Sequence, residues 1–297
     1  MKILKEFNNF LSIEKEYSSL ENSNVAILSA PLEMTVSYGK GCSRGPEKII
    51  EASAYVEFYD NETNREICFE QGIVSLEPLC YDSMSIEEAL ASTEKITKQL
   101  LERSKFVVLL GGEHTVSIAP IKAHLEKYPK MSLLQFDAHS DLREEYEDSP
   151  YSHACAMKRV VEFLNPSKLT QVGIRALSKE ESIFIKENKI NTFFATDIRT
   201  GKWGLNWQKE LVSTLSDEIY ISFDIDYFDP SLIPSTGTPE PDGFFYNETV
   251  EIFREIKRQN KKIVGFDLVE LAPIKGLSHP NLTAARLIYK ILNFVFS

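Results

Sequence analysis

Four apolar runs in this chain end in residues that can bind cations or move protons. SLLQF is followed by Asp137-Ala-His139-Ser-Asp141, EIYISF by Asp224-Ile-Asp226, FVVLL by Gly111-Gly112-Glu113-His114, and KKIVGF by Asp267-Leu-Val-Glu270. On an extended backbone alternate residues point the same way, so Asp137, His139 and Asp141 are expected on one face, and Asp224 with Asp226 on a second. A single D-x-H or D-x-D can equally be a cap or a surface feature. With His114 the set is four carboxylates and two imidazoles at three strand ends. Carboxylates gathered in a cleft repel one another unless cations compensate. The set contains no thiolate and is too large for one tetrahedral zinc site. It suits two metals roughly 3.5–4 Å apart, and carboxylate-rich coordination favours Mn²⁺. Two such ions sharing one water can supply hydroxide near neutral pH. The expectation is a binuclear hydrolase site with two Mn²⁺ per chain.

The elements that position these residues are legible in the same pattern. Strands are predicted over 25–31, 106–110, 132–136, 169–174, 192–195, 218–223 and 262–268. Helices are predicted over 47–55, 86–103, 116–127, 153–164, 179–187, 207–215, 248–259 and 281–295. The strand runs are nearly unbroken in apolar residues, as expected where helices cover both faces. Alternation of strand and helix predicts an α/β fold: three α/β/α layers around a mainly parallel central sheet. No linker, repeat or charge block divides residues 1–297, which are read as a single domain. Ligands of such sheets bind outside the carboxyl ends of the strands, where the six residues lie.

The 297 residues carry 33 Lys+Arg against 44 Asp+Glu, a net charge of −11. That balance lacks the basic footprint of a nucleic-acid partner. No apolar run approaches the roughly 18–20 residues of a membrane span, and the charged opening segment does not read as a signal peptide. Cys42, Cys68, Cys80 and Cys155 form no C-x-x-C pair and are read as free thiols of a reducing, cytoplasmic compartment. The N-x-[ST] matches at Asn61, Asn247 and Asn281 carry no weight there. Gly39, Gly41 and Gly45 lack the Walker spacing. They read as a loop shaping a site mouth, with Pro46 opening a helix.

From about Val25 onward the chain resembles the ureohydrolase family of arginases, agmatinases and relatives. The segment from Ser222-Phe-Asp-Ile-Asp through Pro230 and Pro234 to Gly243 matches that family's S-x-D-x-D…P…P-[GSA]…G signature. GGEH, DAHSD and Glu270 match its other blocks in order. The resemblance implies that one Mn²⁺ takes His114, Asp137, Asp141 and Asp224, and the other Asp137, His139, Asp224 and Asp226. It also implies that water attacks a guanidinium carbon while Asp141 passes a proton to the leaving amine. Glu270 would hold the guanidinium, Thr238 would assist binding, and His153 would shuttle protons. His124 and His279 have no such support and read as packing or surface residues. Homo-oligomers, trimers or hexamers, are the family habit.

The resemblance implies that the substrate is a small guanidino compound. Arginases place an Asn where this chain has Arg143, whereas segments 141–153 and 37–46 look like those of agmatinases. Glu144, Glu145, Glu147 and Asp148 would attract a dicationic substrate, or form a merely solvated acidic loop. Arg143 would suit a carboxylate tail unless an acid neutralises it. Agmatine, giving putrescine and urea, is favoured over guanidinobutyrate, aminopropylagmatine or arginine. A phosphoesterase would need further histidines and a deacetylase fewer ligands; a non-catalytic metal-binding interaction protein is the alternative of another class.

Overall fold

Eight strands form one sheet in a computed structural model that describes residues 1–297. They are β1 (Val25–Ala30), β2 (Ile73–Ser75), β3 (Phe106–Gly111), β4 (Ser132–Phe136), β5 (Leu169–Val172), β6 (Asn191–Phe193), β7 (Glu218–Asp224) and β8 (Lys262–Val269). Their order is β2-β1-β3-β8-β7-β4-β5-β6, and every pairing is parallel. The helices are α1 (Gly45–Ser53), α2 (Ile67–Gln71), α3 (Ile86–Glu102), α4 (Ile118–Lys127), α5 (Ala156–Val160), α6 (Lys179–Asn188), α7 (Ala195–Arg199), α8 (Trp207–Ser213), α9 (Tyr246–Arg258) and α10 (His279–Val295).

Successive strand side chains enter opposite cores, which is why the strands read as continuous apolar runs. Ile219, Ile221 and Phe223 of β7 pack with α8, α9 and α10 on one face, while Tyr220 joins α4, α5 and α6 on the other. Phe136 stacks on Phe223 with ring centroids 4.7 Å apart and on Phe253 at 5.8 Å, bonding sheet to α9. Ser85 with Glu88 and Ser178 with Glu181 form reciprocal caps that fix where α3 and α6 begin.

Three short elements depart from the pattern: β2, α2 and α7 span three to five residues, too few for a periodic signal. The strand expected to Ala195 stops at Phe193, and α7 starts at Ala195. The helix expected over 153–164 is a 3-10 turn at His153–Cys155 followed by α5, which ends at Val160. His124 is wholly buried and packs on Tyr220 at 4.7 Å, while His279 is an exposed residue opening α10.

Candidate active site

β3, β8, β7 and β4 are neighbours at the centre of the sheet, so the four chemistry-bearing turns open side by side. The backbone does not stay extended through them. β4 ends at Phe136, and Asp141 has a left-handed backbone at φ 53°. Asp137 Oδ1 accepts the His139 N–H at 2.6 Å, and Asp224 Oδ1 accepts the Asp226 N–H at 2.9 Å. Each D-x-H or D-x-D is thus a turn closed by its own first carboxylate, which competes with continued strand geometry. Convergence arises from these turns rather than from alternation along a strand.

All six residues nevertheless meet. The His114 Nε2–H points to Ser222 Oγ at 3.0 Å, and that hydroxyl donates to Asp267 Oδ1 at 2.8 Å. In the neutral ring this network leaves Nδ1 as a lone pair, 2.9 Å from Asp141, 3.1 Å from Asp137 and 3.3 Å from Asp224. Without a cation, burial disfavours charge on the ring, but those carboxylates outweigh it and favour the protonated form. This buried nitrogen has no hydrogen-bond partner. A lone pair set against three carboxylates is repulsive until a cation lies between them. His139 differs in having a partner: its Nδ1 is hydrogen-bonded to Asp226 Oδ2 at 2.9 Å and lies 3.7 Å from Asp137 Oδ1. Two ligand groups result, His114–Asp137–Asp224 and Asp137–His139–Asp226, joined through Asp137. Asp224 belongs to the first group only, and Asp141 reaches it beside His114. The donor set fits two divalent ions.

Electrostatics point the same way. Burial, with the Asp226 and Asp141 charges, pushes Asp137 up to about 7, and burial with Asp226 and Asp137 pushes Asp224 well above the usual carboxylate range. Burial opposes charge on His139, but Asp226 outweighs it and lifts the ring to about 11. Negative charge is in excess here, and a metal pair would relieve it.

Glu270 stands beside the cluster in a left-handed backbone at φ 64°. Its Oε1 accepts the His114 N–H at 2.7 Å and lies 3.3 Å from His153 Nδ1. Burial disfavours the charged His153 ring, yet Glu270 lifts it to about 9. His153 Nε2 meets Ser37 Oγ at 2.9 Å, and its N–H donates to Thr35 Oγ1 at 2.9 Å. A cavity of about 270 Å³ opens beside these groups, with Ser37, His153 and Thr238 in its wall; Glu270 is buried behind them and does not itself line it.

Residues 23–293 match the arginase family as a whole. The chain is 34% identical to an N(1)-aminopropylagmatine ureohydrolase of Synechocystis, covering 97% of this chain and 96% of that protein. It is 35% identical to an agmatinase of Bacillus cereus over 91% of each. These matches decide the matter. The chain belongs to the arginase family. A solved agmatine ureohydrolase of Thermoplasma volcanium superposes with a TM-score of 0.85 at 27% identity, covering 94% of this chain and 92% of that one.

This arginase-family chain also answers the questions left at the cavity mouth. Glu144 pairs with Lys158 at 2.7 Å and Arg159 at 3.0 Å, and none of Glu144, Glu145, Glu147 and Asp148 lines the cavity. The acidic loop is a solvated one. Arg143 does line the cavity, 3.7 Å from Glu181 and 5.0 Å above the Tyr146 ring. An acid therefore partly neutralises it. Gly39 packs on Gly237, where a Cβ would come within 2.7 Å of the carbonyl oxygen; the three glycines do not line the cavity, while Ser37 and Thr238 beside this contact do.

Four supporting residues escaped the sequence reading. Glu113 Oε2 accepts N–H bonds from Met34 at 3.0 Å and Thr35 at 2.7 Å, and burial pushes its carboxyl up to about 7. Gln135 donates to Asp137 Oδ2 at 2.8 Å and is itself held by Gln171 at 2.7 Å. Arg175 spends its guanidinium on backbone carbonyls, Asp226 at 2.8 Å among them. Glu113 alone had a visible signal, its place inside GGEH.

Proposed function

We propose that this protein is a binuclear manganese ureohydrolase that converts agmatine to putrescine and urea. The observation that carries the reading is Glu270 Oε1, shared between the His114 backbone and the His153 ring at 2.7 and 3.3 Å. One carboxylate thereby fixes a residue of the cation cluster and a proton-carrying base. When bound, the two ions supply Lewis acidity that makes water nucleophilic near neutral pH. Glu270 Oε2 is left to pair with the substrate guanidinium, a charge-assisted contact that fixes the carbon over the cluster. Asp141 accepts the proton of the attacking water and passes it to the nitrogen whose bond to carbon breaks. His153, held protonated at neutral pH by Glu270, exchanges protons with the departing amine. Thr238, in the cavity wall, would add a hydroxyl to guanidinium binding.

The name of the Synechocystis relative favours a second substrate, N(1)-aminopropylagmatine, which extends the same cationic tail. Three free, buried cysteines support a reducing cytoplasm, and no helix is long and apolar enough to cross a membrane. We read the whole chain as one catalytic domain that assembles into a trimer or hexamer and supplies a polyamine. The test is urea release by the purified, Mn²⁺-loaded protein. Urea is expected from agmatine or aminopropylagmatine and not from arginine; urea from arginine alone would overturn the substrate assignment, and urea from no guanidino compound the activity itself.

A further inference from the structure

The cavity wall carries five carboxylates, and four of them are committed. Asp141, Asp224 and Asp226 face the two imidazoles of the cation cluster. Glu181 accepts the Ser140 hydroxyl at 2.6 Å and the Leu142 N–H at 2.9 Å, closes the cap of α6, and lies 3.7 Å from Arg143. Glu240 is the remainder. Its side chain is 40% exposed, and its closest charged neighbour is His139 Nε2 at 4.0 Å, beyond hydrogen-bond reach.

The backbone under this carboxylate is unusually well fixed. Glu240 sits between Pro239 and Pro241, which restrict the chain on both sides. Arg175 donates to the carbonyls of Glu240 and Pro241, each at 3.0 Å. The same guanidinium holds the carbonyl of Asp226 at 2.8 Å, so the turn carrying Glu240 and the turn carrying a cation ligand share one clamp. A carboxylate with no hydrogen-bond partner, 4.0 Å from the His139 ring, is thus carried on a fixed stretch of backbone at the cavity wall. Preorganisation of this kind lowers the entropy cost of binding.

We propose that Glu240 recognises the distal ammonium of the substrate and makes the cavity selective for cationic over carboxylate tails. The inference rests on the ureohydrolase reading and adds to it the residue that chooses the tail. Arg143 compensates only in part, because Glu181 and the Tyr146 ring already engage it.

The experiment compares Mn²⁺-loaded wild type with Glu240→Gln on agmatine and 4-guanidinobutyrate, whose tails are of similar length and opposite charge. The variant is expected to raise KM for agmatine about tenfold or more, the effect of one lost charge-assisted hydrogen bond. The agmatine-to-guanidinobutyrate ratio of kcat/KM should fall accordingly, and Glu240→Lys should lower it further. Manganese content and putrescine affinity are read in parallel, by elemental analysis and calorimetry. If Glu240 instead acts through His139, the variant loses manganese or kcat for both substrates alike at an unchanged ratio, and the proposal fails. If wild type releases urea from neither compound, the agmatine assignment fails, and calorimetry decides alone. Weaker putrescine binding by the variant than by wild type supports the ammonium site, whereas equal binding or none overturns it.

Discussion

Glu113 has no direct access to the cavity wall, yet it governs a residue that does. Its Oε2 takes two backbone N–H groups of the segment that carries Thr35 and Ser37. Those two side chains hold His153 by its N–H and by its ring. Removing a buried acceptor leaves donors unsatisfied, at about 1–3 kcal/mol each. Glu113→Ala should therefore lower Tm and cut kcat roughly tenfold or more, because a displacement near 1 Å can cost a hundredfold. Glu113→Gln retains a carbonyl acceptor of the same reach and should restore most of both. Thermal melts beside steady-state kinetics check this, and an alanine variant as active as the glutamine variant would show that the segment holds His153 unaided.

Elements are positioned by equally local constraints, of which β8 gives the sharpest case. It lies between β3 and β7 and delivers Glu270. At Gly265 the His124 ring of α4 presses on the strand so closely that a Cβ would come 2.3 Å from Nε2. That ring is pinned, with Nδ1–H donating to the Pro120 carbonyl at 2.7 Å, and burial holds it neutral by lowering its pKa to about 4. Gly265→Ala should cost about 1–3 kcal/mol by overpacking, and much less in a His124→Ala background. Denaturant melts of the two single variants and the double variant give the coupling; strictly additive losses would place the strain elsewhere. Long elements such as β8 were legible because a dense β-forming run, Ile263–Phe266 followed by Leu268 and Val269, leaves few alternatives. The cation cluster was legible because its residues are local, two or four apart at strand ends. Contacts such as Glu113 to Thr35 and Arg175 to Glu240 span 78 and 65 residues, and no local pattern announces them. β2, α2 and α7 were missed because elements this short are decided by what packs on them.

Across the whole molecule, the cation cluster doubles as a clasp for the sheet. Its ligands leave β3, β4 and β7, and Glu270 at the end of β8 bonds the His114 backbone. The four central strands are therefore tied together where the ions would sit, and the two halves of the sheet meet there. Without ions, crowded carboxylates oppose that closure: burial and mutual repulsion already raise Asp137 and Asp224. A ligand that binds only the folded state stabilises it by about 2.7 kcal/mol at a hundredfold excess over Kd. For a chain of this size that corresponds to a rise of several degrees in Tm for each ion. Chelation should lower Tm by that amount, and Mn²⁺ should restore it, with Mg²⁺ less effective because imidazole ligands suit it poorly. Asp137→Asn should blunt the response most, since Asp137 belongs to both ligand groups. Scanning calorimetry with and without chelator measures the effect. A Tm indifferent to chelation and to manganese would separate the cluster from the stability of the sheet, and would leave the buried Asp137 and Asp224 without the countercharge their burial demands.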